Sequence, residues 1–166
     1  MTKISKAFKE EFLLERKVDD NEKTNYIKDI LVDADVLVAL AKTNDTNHQK
    51  AIKFSDKLQK AGATYYFSPF TVAEAVTVLS YKISHQTAKD FLGEVRRLAI
   101  PILELPEKHK DMADNWFLKQ NKKGTSYFDC YNMALLERYK EQLATIFSFD
   151  SVYKKNGFLT VENMKF

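Results

Sequence analysis

The chain has 166 residues and a net charge of +3 at pH 7, with 45% hydrophobic and 30% charged residues. That length suits one domain around one core, and the balance is that of a globular protein rather than a disordered chain. No apolar run nears the ~20 residues that cross a bilayer, the first 17 residues lack the apolar segment of a secretory signal, and one cysteine, Cys130, excludes an internal disulfide; a cytoplasmic location is expected.

Residues 1–28 form a charged leader. Ile4, Phe8 and Phe12 recur at i, i+4 and i+8, which predicts an amphipathic helix over residues 5–17 that packs on the body or meets a partner. The body, residues 29–166, opens with a short apolar strand at 29–32 and a helix starting near Val36. Residues 47–61 read as a helix with Ala51, Ile52, Phe54, Ser55 and Leu58 on one side, stopped by Gly62. Residues 64–67 are β-rich, and Ser68-Pro69 reads as an N-cap followed by a first-turn proline. A helix through Phe70, Ala73 and Val76 follows, then another at 86–98. Residues 100–105 are a strand candidate restricted to an edge by Pro101. Residues 108–120 and 127–141 read as helices separated by Lys122-Lys123-Gly124. A strand at 144–149, one turn at 151–155 and a last short strand at 158–161 complete the chain. Such alternation predicts an α/β fold with a mostly parallel sheet, in which ligands sit beyond the carboxyl ends of the strands.

Four acids stand at informative corners. Asp33 follows Ile30-Leu31-Val32, and Asp150 follows Ile146-Phe147-Ser148-Phe149, so both project from the same edge of a parallel sheet. Asp129 falls in the first turn of its helix, three residues after Ser126, and Glu74 lies about a turn and a half into a helix among apolar neighbours. A hard cation takes oxygen ligands of this type, whereas clustered carboxylates without one repel until a proton binds. Each acid also has a purely structural use: an Asx turn at Asp33, a solvated helix face at Glu74, and helix caps at Asp129 and Asp150.

Charge distribution bears on the substrate. Residues 1–29 carry seven basic and seven acidic side chains, so the whole surplus lies in residues 30–166. If the four acids there cluster, the remaining surface holds a surplus of seven positive charges, suited to a polyanion. Scattered solvated lysines give the same count.

Ile30-Leu31-Val32-Asp33-Ala34-Asp35-Val36-Leu37 resembles the opening strand and helix start of PIN domains. Asn44-Asp45-Thr46-Asn47-His48 resembles their next loop, and Ser68-Pro69-Phe70-Thr71-Val72-Ala73-Glu74 the segment with their second acid. Ser126-Tyr127-Phe128-Asp129 and Phe147-Ser148-Phe149-Asp150-Ser151-Val152-Tyr153 resemble the third and fourth. The resemblance covers residues 29–162. It implies a three-layer α/β/α sandwich and a ribonuclease binding Mg²⁺ or Mn²⁺ through Asp33, Glu74, Asp129 and Asp150. It is nearest to the VapC-type toxins, which implies an RNA substrate, a cognate antitoxin partner and a homodimer. Ser148 matches a hydroxyl position of the family, while Asp35 departs from its usual Asn, Ser or Thr and adds a fifth acid beside the quartet.

Lys122, Lys123, Lys154 and Lys155 flank the acid-bearing loops and are candidates for RNA phosphate contacts. His48, His85 and His109 show no ligand spacing, and Cys130 is read as a packing residue rather than a nucleophile. Tyr65, Tyr66, Phe67 and Phe70 suit core packing better than base stacking. Two rival readings stand beside the nuclease. Asp33-Ala34-Asp35 after an apolar run also resembles the first motif of haloacid-dehalogenase-type phosphatases, with Asp33 as nucleophile and Asp35 as general acid, although that family's late acidic pair is missing. Alternatively the domain binds RNA or protein without cutting.

Overall fold

The structure, a computed structural model, describes residues 29–166. The amphipathic helix expected at residues 5–17 lies outside them. Three parallel strands, β1 (Asp29–Val32), β2 (Tyr65–Phe67) and β3 (Leu143–Phe147), pair in the order β2-β1-β3. β1 is central because Ile30, Leu31 and Val32 are fully enclosed, and burying such a side chain stabilises the fold by about 1.5–3 kcal/mol. The pleat alternates its side chains between two cores. Ile30 and Val32 join one apolar cluster, and Leu31 joins another with Cys130, Met133, Ile146 and Tyr153.

Helices cover both faces, which makes the three layers. On the Ile30 face lie α1 (Ala34–Ala41), α2 (His48–Lys60), α3 (Thr71–Lys82) and α4 (His85–Arg97). On the Leu31 face lie α5 (Asp111–Leu118), α6 (Tyr127–Arg138) and the short α7 (Ser151–Lys155). Apart from Asp35, every residue of α1 is buried, as expected for a helix apolar on all sides. α2 ends in a Schellman turn: Ala63 N–H donates to Leu58 O and Gly62 N–H to Gln59 O, both at 3.0 Å. Gly62 sits at φ +70°, a conformation in which a Cβ is strained.

The elements depart from the sequence expectations in four places. α3 begins at Thr71, not at Pro69, because the Thr71 hydroxyl takes the Ser68 N–H at 3.1 Å and itself donates to Val32 O at 3.2 Å. Glu74 consequently falls in the first turn of α3. The strand expected at 100–105 is reduced to one bridge between Phe67 and Ile102, where Pro101 offers only its carbonyl. The strand expected at 158–161 is likewise one bridge, Ile146 with Thr160, before a 3-10 turn at Val161–Asn163. The helix expected over 108–120 is split into a 3-10 turn, Glu107–His109, and α5.

Candidate active site

Chain order around the sheet creates a crevice at one place. The connection from β1 to β2 runs to one side, and the chain then crosses to β3 on the other, so strand order reverses between β1 and β3. Ligands in open α/β sheets bind at such a reversal, beyond the strand carboxyl ends. Asp33 leaves β1 there, its N–H donating to Phe147 O of β3 at 3.0 Å. Its side chain caps α1 by accepting the Ala34 N–H at 2.8 Å, which places a carboxylate at the positive end of a helix dipole. Asp150 caps α7 in the same manner, accepting the Val152 N–H at 2.8 Å. Both acids keep these capping roles while standing at the crevice.

α6 and α3 bring the other two acids. Ser126 caps α6 by accepting the Phe128 N–H at 3.1 Å, which sets Asp129 in the first turn. The Thr71 bond to the end of β1 sets the start of α3, and with it Glu74, beside Asp33. Electrostatics report the proximity. Glu74 is pushed up to about 7, first by burial and then by the charges of Asp33 and Asp129. Asp129 is also pushed up to about 7, by burial, Asp33 and Asp150. Burial raises Asp33 as well, against hydrogen bonds from Ala34 and Tyr153 that favour its ionised form.

Two residues absent from the sequence-based site complete the centre. The enclosed Tyr153 hydroxyl stands 3.0 Å from Asp33 Oδ2 and 3.2 Å from Asp129 Oδ1. Asn132 Nδ2 donates to Asp33 Oδ1 at 3.2 Å and to the Tyr153 hydroxyl at 3.1 Å. A phenol carries one hydrogen, so it donates to one of these carboxylates at a time. The raised Asp129 carboxyl, holding its own proton part of the time near neutrality, supplies the second bond. The signal for both residues is spacing. Asn132 lies one helical turn after Asp129, and Tyr153 one turn after Asp150.

Asp35 and Ser148 lie behind this group. Asp35 Oδ2 accepts the Phe149 N–H at 2.8 Å and the Ser148 hydroxyl at 3.3 Å, and Ser148 Oγ accepts the Asp150 N–H at 3.0 Å. One Asp35 oxygen is therefore engaged with the loop after β3. Burial and the Asp33 charge hold its carboxyl well above the usual range.

As the side chains stand, no three His, Cys, Asp or Glu groups among the described residues are arranged to grip an ion. In donor type and charge, however, the four acids fit a hard cation. They offer oxygen alone, and their mutual repulsion is what a divalent ion relieves. A cleft of about 370 Å³ opens beside them, lined by Asp129, Asp150, Lys122, Lys123 and Lys155. Lys154 does not line it, and its ammonium pairs with Glu162 at 2.5 Å. His48 Nδ1 is engaged by Ala39 O at 2.7 Å on the opposite face, and Cys130 is fully buried.

No helix among the described residues is long and apolar enough to cross a membrane. Among curated proteins, none matches the sequence closely enough to count as a relative. Among solved structures, VapC20 of Mycobacterium tuberculosis, described as a sarcin-ricin loop cleaving toxin, superimposes with a TM-score of 0.62 at 18% identity. The match covers 78% of this chain and 96% of that one. At that identity the likeness is one of fold. The PIN-domain family model matches residues 30–159, which include Asp33, Glu74, Asp129 and Asp150. The chain belongs to the PIN-domain family.

Proposed function

We propose that the protein is a divalent-cation-dependent ribonuclease that hydrolyses RNA phosphodiester bonds, with Asp33, Glu74, Asp129 and Asp150 holding Mg²⁺ or Mn²⁺. The observation that carries this reading is the repulsion among Asp33, Glu74 and Asp129 at the sheet's switch point, in a chain of this family. When bound, the cation supplies positive charge to the phosphate and a source of hydroxide near neutral pH. Asp33, held by Ala34 N–H, Asn132 and Tyr153, keeps a fixed orientation. Glu74 and Asp129 must give up the protons they hold near neutrality before they ligate, which couples cation uptake to proton release. Lys122, Lys123 and Lys155 line the cleft beside Asp129 and Asp150 and take RNA phosphates. Lys154, committed to Glu162, contributes less.

The fold likeness to a toxin supports the further reading that the protein is the toxin of a toxin–antitoxin pair. On that reading it acts in the cytoplasm as a homodimer and is held in check by a cognate antitoxin protein. The phosphatase alternative fits less well. Its general acid would be Asp35, whose Oδ2 is engaged by Phe149 N–H and Ser148 rather than left for a leaving group. The test is cleavage of cellular RNA by purified protein in EDTA, Mg²⁺ and Mn²⁺. We expect cutting only with a metal, lost in Asp33→Asn and Asp129→Asn. Cleavage that persists in EDTA, or phosphate release from small phosphomonoesters without RNA cleavage, sinks the reading. RNA binding without cutting in any metal points to the non-catalytic module.

A further inference from the structure

We propose that Tyr153 and Asn132 form a positioning pair that holds the Asp33 and Asp129 carboxylates in one shared orientation for cation binding. This rests on the nuclease reading above, and it adds two residues that do not themselves ligate.

The geometry is a closed set of polar contacts in an otherwise apolar layer. The phenol hydroxyl reaches Asp33 Oδ2 at 3.0 Å and Asp129 Oδ1 at 3.2 Å, while Asn132 Nδ2 reaches Asp33 Oδ1 at 3.2 Å and the phenol oxygen at 3.1 Å. Each Asp33 oxygen thus takes one bond from the pair. Asp33 and Asp129 arrive on different elements, the end of β1 and the start of α6, and the described contacts provide no direct bond between them. The Tyr153 hydroxyl is what they share: its single hydrogen bonds one carboxylate at a time, and Asn132 Nδ2 keeps hold of Asp33 when that hydrogen turns to Asp129.

Fold stability alone gives a poor account of these residues. The Tyr153 ring belongs to the apolar core with Cys130, Met133 and Ile146, a place that a phenylalanine fills equally well. A buried hydroxyl costs about 1–3 kcal/mol when unpaired, and here its partners are the acids and Asn132. Asn132 is 1% exposed, and its Oδ1 is enclosed with no partner. Turning the amide over would aim Oδ1 at a carboxylate, so the donor side faces the acids for an electrostatic reason. Groups that orient ligating carboxylates in this way typically change metal affinity by about 10–100-fold when removed.

The experiment is calorimetric titration of Mn²⁺ into metal-stripped, RNA-free protein, comparing wild type with Tyr153→Phe and Asn132→Leu. Melting temperature in EDTA, and kcat and KM for RNA cleavage, are measured on the same samples. We expect each variant to bind Mn²⁺ at least about tenfold more weakly, with a melting temperature near that of wild type. kcat should fall while KM for RNA is unchanged. Mn²⁺ affinity within twofold of wild type in a folded variant overturns the inference, as does failure of both variants to fold. A wild type that binds Mn²⁺ but cuts no RNA overturns the nuclease reading while leaving the pair tested by its Mn²⁺ affinities. A wild type that binds no Mn²⁺ overturns both.

Discussion

Asp35 Oδ2 accepts the backbone N–H of Phe149 at 2.8 Å, across 114 positions of sequence. The bond ties the first turn of α1 to the loop after β3, and Ser148 extends the tie to the Asp150 N–H. β3 ends at Phe147, where the Phe149 N–H leaves the sheet ladder for this carboxylate. The Asp35 position therefore helps to set where Asp150 stands.

Asp35 holds this loop at an electrostatic cost, since its carboxyl is raised by burial and by Asp33 and its Oδ1 is enclosed without a partner. A folded-state pKa above the unfolded one means that the folded protein binds the proton more tightly. Stability then falls as pH rises from the ordinary carboxylate range through the raised value. Asp35→Asn keeps an acceptor for Phe149 and removes the charge. At pH 8 we expect a gain of about 1 kcal/mol, or about 2–4 °C in melting temperature for a chain of this size. Asp35→Ala leaves the Phe149 N–H unpaired and should lose about 1–3 kcal/mol. Thermal melts that place the Asn variant below the Ala variant would refute the assignment.

Glu74 and Asp129 have the same sign, both lifted to about 7. In EDTA the metal-free protein should lose stability steadily between about pH 4 and pH 8, as the two groups ionise against each other and against Asp33. Mn²⁺ should reverse the trend, raising the melting temperature more at pH 8 than at pH 5, because at pH 5 it competes with bound protons. Differential scanning calorimetry at four pH values, with and without Mn²⁺, measures both slopes. An apo protein that becomes more stable from pH 5 to pH 8 contradicts the clustering of these acids.

Cys130 follows Asp129 directly but faces the core and is fully buried. Burial and the Asp129 charge push its thiol up to about 11, which leaves little thiolate at neutral pH. Native protein should resist thiol-modifying reagents until it is denatured. Cys130→Ala should retain RNA cleavage while losing about 1 kcal/mol of stability. Rapid native labelling, or a dead alanine variant that still folds, would revive a nucleophilic cysteine.

The strands and the positions of Asp33 and Asp150 were legible because short apolar runs ending in an acid report burial and direction together. The end of α2 was legible because Gly62 supplies a backbone conformation that other residues adopt at a cost. What local pattern missed depends on distant partners. Ser68 looked like a cap, yet Thr71 starts α3, since its hydroxyl is drawn to Val32 O from 39 residues away. Residues 100–105 and 158–161 have strand-like composition, but each lies at a sheet edge and forms one bridge. Neither Tyr153 nor Asn132 stood among the candidate site residues. Their polar atoms meet Asp33 from 120 and 99 positions away, which no window on the sequence contains.

Lysine placement offers a way to tell the proposed RNA cleft from a generally basic surface. Lys122 and Lys123 line the cleft with Asp129 and Asp150, whereas Lys154 is bound to Glu162. Neutralising a lysine that contacts a single-stranded phosphate lowers the slope of log affinity against log salt by about 0.7. The double variant Lys122→Ala/Lys123→Ala should therefore flatten the slope by about 1.4 and weaken RNA binding at low salt across sequences. Lys154→Ala should leave the slope unchanged and act, if at all, through the lost ion pair, which as an exposed bridge is worth under about 1 kcal/mol. Both are read by fluorescence anisotropy of a labelled RNA in EDTA, where cleavage does not intervene. Equal slopes for the double variant and wild type would place the RNA elsewhere, and a slope lost only in Lys154→Ala would move it to the Glu162 side of α7.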